Sequence, residues 1–122
     1  MKKTLRRILA VVICVVSAFC LMVNAFAAFN DRLVHYEGDS IYVWIDGTTY
    51  ALEASMSKVN GSGNYTYEME MIYVVSPNDY TRVYSAPGLN QSYFYKTFEK
   101  ILVSSQAIYY ANGTMLYSLY GR

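Results

Sequence analysis

Cysteine is nearly absent from the sequence. The chain has two among its 122 residues, Cys14 and Cys20, and both lie in one apolar stretch near the N-terminus. The rest of the chain therefore has no means to form a disulfide or to supply a thiol nucleophile. Histidine occurs once, as His35, so a catalytic arrangement has a single candidate base. We interpret His35 as a partly exposed residue at a strand edge, and we expect no enzymatic activity.

Long apolar runs are equally scarce. The one that exists, residues 8–23, has 16 residues, whereas a membrane-spanning helix needs about 20. It follows a basic segment, residues 2–7, and precedes the small-x-small pattern Asn-Ala-Phe-Ala that is typical of a cleavage site. We therefore interpret residues 1–27 as a signal peptide of bacterial type for the general secretory route. Residues 28–122 are then a single secreted domain, with an uncleaved N-terminal anchor as the alternative.

An excess of basic charge is also missing. After cleavage, 6 lysine and arginine residues face 9 aspartate and glutamate residues, so the net charge is −3. This balance gives no support to a basic surface for nucleic acid or anionic lipid. No glycine-rich phosphate loop is present, and the acids Glu37, Asp39 and Asp46 lack the spacing of a calcium loop. We expect no cofactor, no metal, no nucleic-acid partner and no membrane span after cleavage.

Aromatic residues, in contrast, are abundant. All 14 tyrosines lie after residue 27, and with Trp44 and three phenylalanines they make 18 aromatic residues in 95. Such a content favours strands, and turn residues recur at the short intervals of an all-β domain. The sequence therefore predicts a small antiparallel β-sandwich of about six strands.

Two hairpins are the clearest predicted elements. The first joins residues 41–45 to residues 48–52 through Asp46-Gly47, a pair that suits a type I′ turn. That register would place Ile41, Val43 and Ile45 on a core face, with Tyr42 and Trp44 on the other face. The second hairpin turns at Asn112-Gly113 between residues 108–111 and 114–117.

The segments between the hairpins show weaker patterns. Residues 55–63 read as a polar loop, residues 76–79 as a turn containing Pro77, and residues 80–85 as a short strand. Residues 92–103 fit both a helix and a strand, and we favour the strand. Residues 65–75 read as a strand whose first half alternates, with Glu68 and Glu70 on its outer side. Two carboxylates at this spacing resemble a glycosidase pair, but we interpret them as a solvated strand face.

The aromatic surplus carries the functional hypothesis. A domain of 95 residues buries only about 60–65% of its surface, so some of its 18 rings must be exposed. Tyrosine and tryptophan on a sheet face can stack on sugar rings or anchor a protein partner. We predict a non-catalytic extracellular binding module for a glycan, cell-wall or protein partner, with Tyr42 and Trp44 as ligand-binding residues. The alternatives are a secreted bacteriocin-like antagonist and a matrix protein that assembles through strand edges.

Overall fold

The protein is built from antiparallel strands throughout its C-terminal part. The structure, a computed structural model, describes Arg7 and residues 28–122, so the predicted signal peptide otherwise lies outside the described residues. Among the described residues, no helix is long and apolar enough to cross a membrane. The strands are β1 (Ala28–Tyr36), β2 (Asp39–Gly47), β3 (Ala51–Asn60), β4 (Thr66–Val75), β5 (Asp79–Tyr84), β6 (Gly88–Leu89), β7 (Gln91–Thr97), β8 (Leu102–Ala111) and β9 (Thr114–Tyr120).

The strands form two sheets. Sheet 1 has the order β1-β2-β3-β7, and sheet 2 has the order β5-β4-β8-β9, with the short β6 pairing β4. The predicted all-β class is confirmed, but the prediction of about six strands is wrong, since residues 28–122 contain nine. The sequence does not signal β1, because its polar, charged residues lack clean alternation. Nor does it signal β6, which is two residues long.

One hydrophobic core lies between the two sheets. Sheet 1 contributes Ile41, Val43, Ile45, Leu52 and Met56, and sheet 2 contributes Tyr67, Met69, Met71, Leu102 and Tyr109, all fully buried. Burying a side chain of this size contributes roughly 1.5–3 kcal/mol to stability. The core also holds a polar link between the sheets, because the Tyr109 hydroxyl donates to the Trp44 backbone oxygen at 2.6 Å.

The first hairpin exists, but its predicted turn and register are wrong. Asp46 and Gly47 belong to β2, where Gly47 pairs with Leu52 and Ile45 with Ala54. Residues 48–50 make the connection instead, closed by a hydrogen bond from the Thr48 amide to the Ala51 oxygen. Gly47 is needed for a close approach rather than for a turn, because a Cβ there would lie 2.9 Å from the backbone nitrogen of Arg122. The predicted face assignment of β2 nevertheless holds.

The predicted polar loop over residues 55–63 is also wrong, because β3 continues to Asn60. Its polar residues alternate with core residues. Ala54 and Met56 are buried, whereas Ser55 and Ser57 point outward. Ser55 and Ser57 belong to the outer side of the strand, Lys58 pairs with the core residue Ile41, and only residues 61–65 form the connection to β4.

Most of the remaining predictions are confirmed. Residues 92–103 are strand rather than helix, but residues 98–101 divide them between β7 of sheet 1 and β8 of sheet 2. The second hairpin turns at Asn112 and Gly113, whose φ angles of 47° and 79° are those of the expected turn. The turn at Pro77 and the strands on either side of it also lie where the sequence predicts them.

Candidate functional site

The outward side of sheet 1 carries the residues selected from the sequence. Directly paired residues of an antiparallel sheet share one side, and the buried residues of β2 fix which side faces the core. We call the other side the acidic aromatic face; it consists of the rows Phe29–Asp46–Glu53–Tyr95, Asp31–Trp44–Ser55–Tyr93 and Leu33–Tyr42–Ser57–Gln91.

Tyr42 and Trp44 are half-buried on this face, and neighbours on β1 hold both side chains. The Trp44 ring lies against Phe29 with ring centroids 6.0 Å apart. The Tyr42 hydroxyl donates to Oδ2 of Asp31 at 2.7 Å, and this bond is the main cause that raises the Tyr42 pKa above its ordinary value. The structure thus brings the two predicted residues together on one surface. Their role in ligand binding stays a prediction.

Two further aromatic residues, Tyr93 and Tyr95, face outward from β7 and are each 56% exposed. Desolvation and a hydrogen bond to Glu53 raise the pKa of Tyr93. The sequence alone does not single out these two residues, because the pattern of their segment fits both a helix and a strand. The available signal was the alternation of Tyr93 and Tyr95 with Phe94, which packs against the core.

A furrow with small side chains separates the two aromatic groups. Ser55 stands between Trp44 and Tyr93 in one row, and Ser57 lies beside it on β3. Since adjacent strands are about 4.8 Å apart, the backbones of Trp44 and Tyr93 are separated by roughly 10 Å. The furrow opens into a shallow depression of about 460 Å³ between these serines, Tyr93 and the loop at Ala86. Ligand-sized space therefore lies beside an exposed ring.

Acidic and basic side chains lie on opposite sides of sheet 1. Asp31, Asp46 and Glu53 lie on the acidic aromatic face, and burial, followed by the nearby Glu53, raises the pKa of Asp46. The basic residues point the other way, toward sheet 2. The Arg32 guanidinium lies 5.3 Å from the Tyr117 ring centre, and Nζ of Lys96 lies 5.9 Å from that of Tyr73. Within the described strands, the acidic aromatic face has no lysine or arginine.

The residues considered for catalysis lie apart. His35 is exposed on the edge strand β1, and its Nδ1 is 3.1 Å from the Ser40 hydroxyl. The interpretation of Glu70 as solvated is wrong, since it is only 5% exposed. Its Oε1 lies 2.6 Å from Nε of Arg82, and its Oε2 accepts from the Tyr110 hydroxyl at 3.0 Å. Arg82 and Tyr110 lie on the strands next to β4 and bury the Glu70 carboxylate. The alternation of residues along β4 alone does not predict this burial, because both partners come from other strands.

The acids considered for calcium do not form a cluster. Asp39 and Asp46 lie at opposite ends of β2, and Asp39 is buried in contact with residues 61–63. Its Oδ1 accepts from the Gly63 amide at 3.2 Å. Among the described residues, no three histidine, cysteine, aspartate or glutamate side chains come together as ligands.

Comparison of the chain with protein-family models, with curated proteins and with solved structures gave no match. The function is therefore inferred from the chemistry of the chain's own surfaces.

Proposed function

We propose that residues 28–122 form a secreted, non-catalytic β-sandwich module that binds a neutral glycan on the acidic aromatic face. The observation that carries the proposal is the row Trp44–Ser55–Tyr93, in which two aromatic residues stand on either side of a serine furrow. The apolar faces of sugar rings stack on such aromatic side chains, which offer a large area with few rotatable bonds.

The polar groups of the face complement the hydroxyls of a sugar. Ser55 and Ser57 can donate or accept hydrogen bonds, and the carboxylates of Asp46 and Glu53 accept them strongly. Trp44 and Tyr42 already contact β1, so little side-chain entropy is lost when a ligand binds. Three carboxylates without a lysine or arginine on the same face disfavour anionic polymers, so the proposed ligand is uncharged.

The proposal of a secreted location rests on the basic and apolar segments of residues 1–27 and their cleavage pattern. The proposal that the module is non-catalytic is supported by the placement of its titratable groups. His35 is on an exposed edge strand, and both oxygens of Glu70 are engaged by Arg82 and Tyr110. Neither residue lies beside the serine furrow.

The test is retention of the purified protein on insoluble neutral polysaccharides such as cellulose, chitin and xylan, followed by titration with soluble fragments of whichever retains it. We expect Trp44→Ala and Tyr93→Ala each to weaken binding by about tenfold, or about 1.4 kcal/mol. The matched control is Tyr120→Ala, because Tyr120 is 64% exposed on sheet 2. If the parent protein and the three variants bind equally, the acidic aromatic face is not the binding site.

Assembly through strand edges is a second candidate, favoured by the exposure of β1. This strand has nine residues, lies at the edge of sheet 1 and is exposed over most of its length. The charged residues Asp31 and Arg32 on the same strand oppose edge-to-edge pairing. Sedimentation of the purified protein at increasing concentrations distinguishes the two candidates. A binding module keeps the same sedimentation coefficient, whereas a protein that assembles through strand edges forms larger oligomers as its concentration rises.

A further inference from the structure

A second pocket lies on the outward side of sheet 2. It forms where β5 ends at Tyr84 and the hairpin between β8 and β9 turns, and its volume is about 590 Å³. This size lies within the usual range of small-molecule sites, roughly 300–1,000 Å³. Its walls are Thr66, Glu68, Tyr84, Tyr110, Asn112 and Gly113. The acidic aromatic face lies on the other sheet, so variants in one site leave the other intact.

Two glutamates on β4 face this region but differ in their partners. Glu70 is buried, and its two oxygens are taken by Arg82 and by the Tyr110 hydroxyl, as described above. Glu68, two residues earlier, is half-buried and lines the pocket directly opposite Tyr110. Within residues 28–122, no hydrogen bond or ion pair engages the Glu68 carboxylate. Because Arg82 balances Glu70, Glu68 leaves the pocket with one net negative charge.

Two tyrosine rings stand beside that carboxylate. Tyr110 is half-buried, and its hydrogen bond to Glu70 fixes its ring against the sheet before any ligand arrives. Tyr84 lies on β5, the strand that flanks β4 opposite to β8. It pairs with Glu70 in the β4–β5 register and is 58% exposed. Burial, then Glu70 and then Tyr84 raise the pKa of Tyr110, so its ring remains a neutral phenol at physiological pH. The face of a neutral phenol ring attracts cations.

We infer that this pocket binds an organic cation of the alkylammonium class. The Glu68 carboxylate pairs with the positive charge, and the rings of Tyr84 and Tyr110 contact the alkyl groups around it. An anion would meet repulsion from Glu68, and a neutral ligand would cover the carboxylate without compensating its charge. The shared ligand chemistry is an ammonium group, carried by a small amine or by a lysine side chain of a partner protein.

The test is calorimetric titration of the purified protein with choline and with its neutral isostere 3,3-dimethylbutan-1-ol. We expect saturable binding of choline at millimolar concentration and binding of the isostere at least about tenfold weaker. Nα-acetyl-lysine amide is the third probe. Tighter binding of choline assigns the site to small amines, and tighter binding of the lysine derivative assigns it to a protein side chain; either result supports a cation site.

Glu68→Gln should weaken choline binding by about tenfold while keeping the shape of the side chain. The matched control is Glu99→Gln, because Glu99 is exposed in the connection between β7 and β8, away from the pocket. Tyr84→Leu should also weaken binding, and because Tyr84 is mainly exposed, the fold tolerates the change. Equal binding of choline and the isostere, no saturation by either cation, or unchanged binding by Glu68→Gln would each overturn the inference.

Discussion

At the scale of single residues, two buried tyrosines differ in what their hydroxyls contact. The Tyr109 hydroxyl donates to the Trp44 backbone oxygen, whereas the buried Tyr67 hydroxyl has no hydrogen-bond partner among the described residues. A buried polar group without a partner costs stability, and a satisfied one contributes to it. The same removal of one oxygen atom should therefore have opposite effects at the two positions.

We predict that Tyr109→Phe lowers the free energy of unfolding by about 1–2 kcal/mol, because it breaks the link between the sheets. Tyr67→Phe should leave the free energy of unfolding unchanged or raise it by about 1 kcal/mol. Urea unfolding of the two variants and the parent measures both effects. A loss of stability in Tyr67→Phe equal to that in Tyr109→Phe would show that the Tyr67 hydroxyl is satisfied in solution.

The raised pKa values of the same two tyrosines affect the stability of the protein at alkaline pH. Burial raises the pKa of Tyr67 to about 12, with Asp39 adding to the effect, and burial raises the pKa of Tyr109 as well. Above the ordinary tyrosine pKa of about 10, the unfolded chain loses these protons while the folded chain keeps them. The folded state then binds more protons, so stability falls as pH rises.

We predict that the free energy of unfolding is insensitive to these tyrosines below pH of about 10 and decreases above it. Tyr67→Phe should reduce the slope, because one of the two groups is removed. Urea midpoints at a series of alkaline pH values measure the slope. The same slope in parent and variant would contradict the assignment to Tyr67.

Gly61 and Gly113 both adopt positive φ angles, but only one is closely surrounded. A Cβ on Gly61 would lie 1.9 Å from Oδ1 of Asp39 and 2.8 Å from its Cα, whereas nothing lies within 4 Å of a Cβ on Gly113. Gly113→Ala should cost about 1–2 kcal/mol from backbone strain alone. Gly61→Ala should cost at least about 1–3 kcal/mol more, because the buried Asp39 must move. Similar losses in thermal unfolding would contradict the close packing at Gly61.

At the scale of elements, Asn90 joins the two sheets. It lies between β6 of sheet 2 and β7 of sheet 1, with a φ of 58°. Its Oδ1 accepts from the Tyr65 amide at 3.1 Å, and its backbone oxygen accepts from the Lys58 amide at 3.0 Å. The crossover therefore depends on both the backbone conformation and the side chain of one residue.

We predict that Asn90→Gly, which keeps the φ angle but loses the side-chain bonds, costs about 1–1.5 kcal/mol. Asn90→Ala loses the bonds and strains the backbone, and it should cost about 2–3 kcal/mol. Chemical unfolding of the pair separates the two contributions. If the alanine variant were as stable as the glycine variant, the backbone at Asn90 would carry no constraint.

Local sequence patterns predict some of the strands and turns correctly but not all of them. The alternation of residues 65–71 and the pair Asn112-Gly113 predict their strand and turn correctly, because the signals depend on neighbouring residues alone. Asp46-Gly47 misleads, since Gly47 makes room for the C-terminal residues rather than forming a turn. That requirement comes from a contact 75 positions away in the chain, which no local pattern contains.

At the scale of the whole molecule, the arrangement of charge and aromatic rings defines the candidate sites. The sequence indicated Tyr42 and Trp44, because the period of β2 separates them from the core. It did not indicate Tyr93 or the pocket at Glu68, because strands distant in sequence supply their neighbours. Pairing of β3 with β7 creates the serine furrow. Pairing of β4 with β5 and β8 surrounds Glu70 with Arg82 and Tyr110, whereas no described residue engages the Glu68 carboxylate.

The fluorescence of Trp44, the only tryptophan in the chain, reports directly on whether a neutral glycan binds to the acidic aromatic face. Acrylamide quenching is measured with and without soluble fragments of cellulose, chitin and xylan. We expect ready quenching of the half-buried indole, saturable protection by one of these glycans, and loss of the protection in Tyr93→Ala. If no neutral glycan changes the quenching, the acidic aromatic face is not a neutral-glycan site.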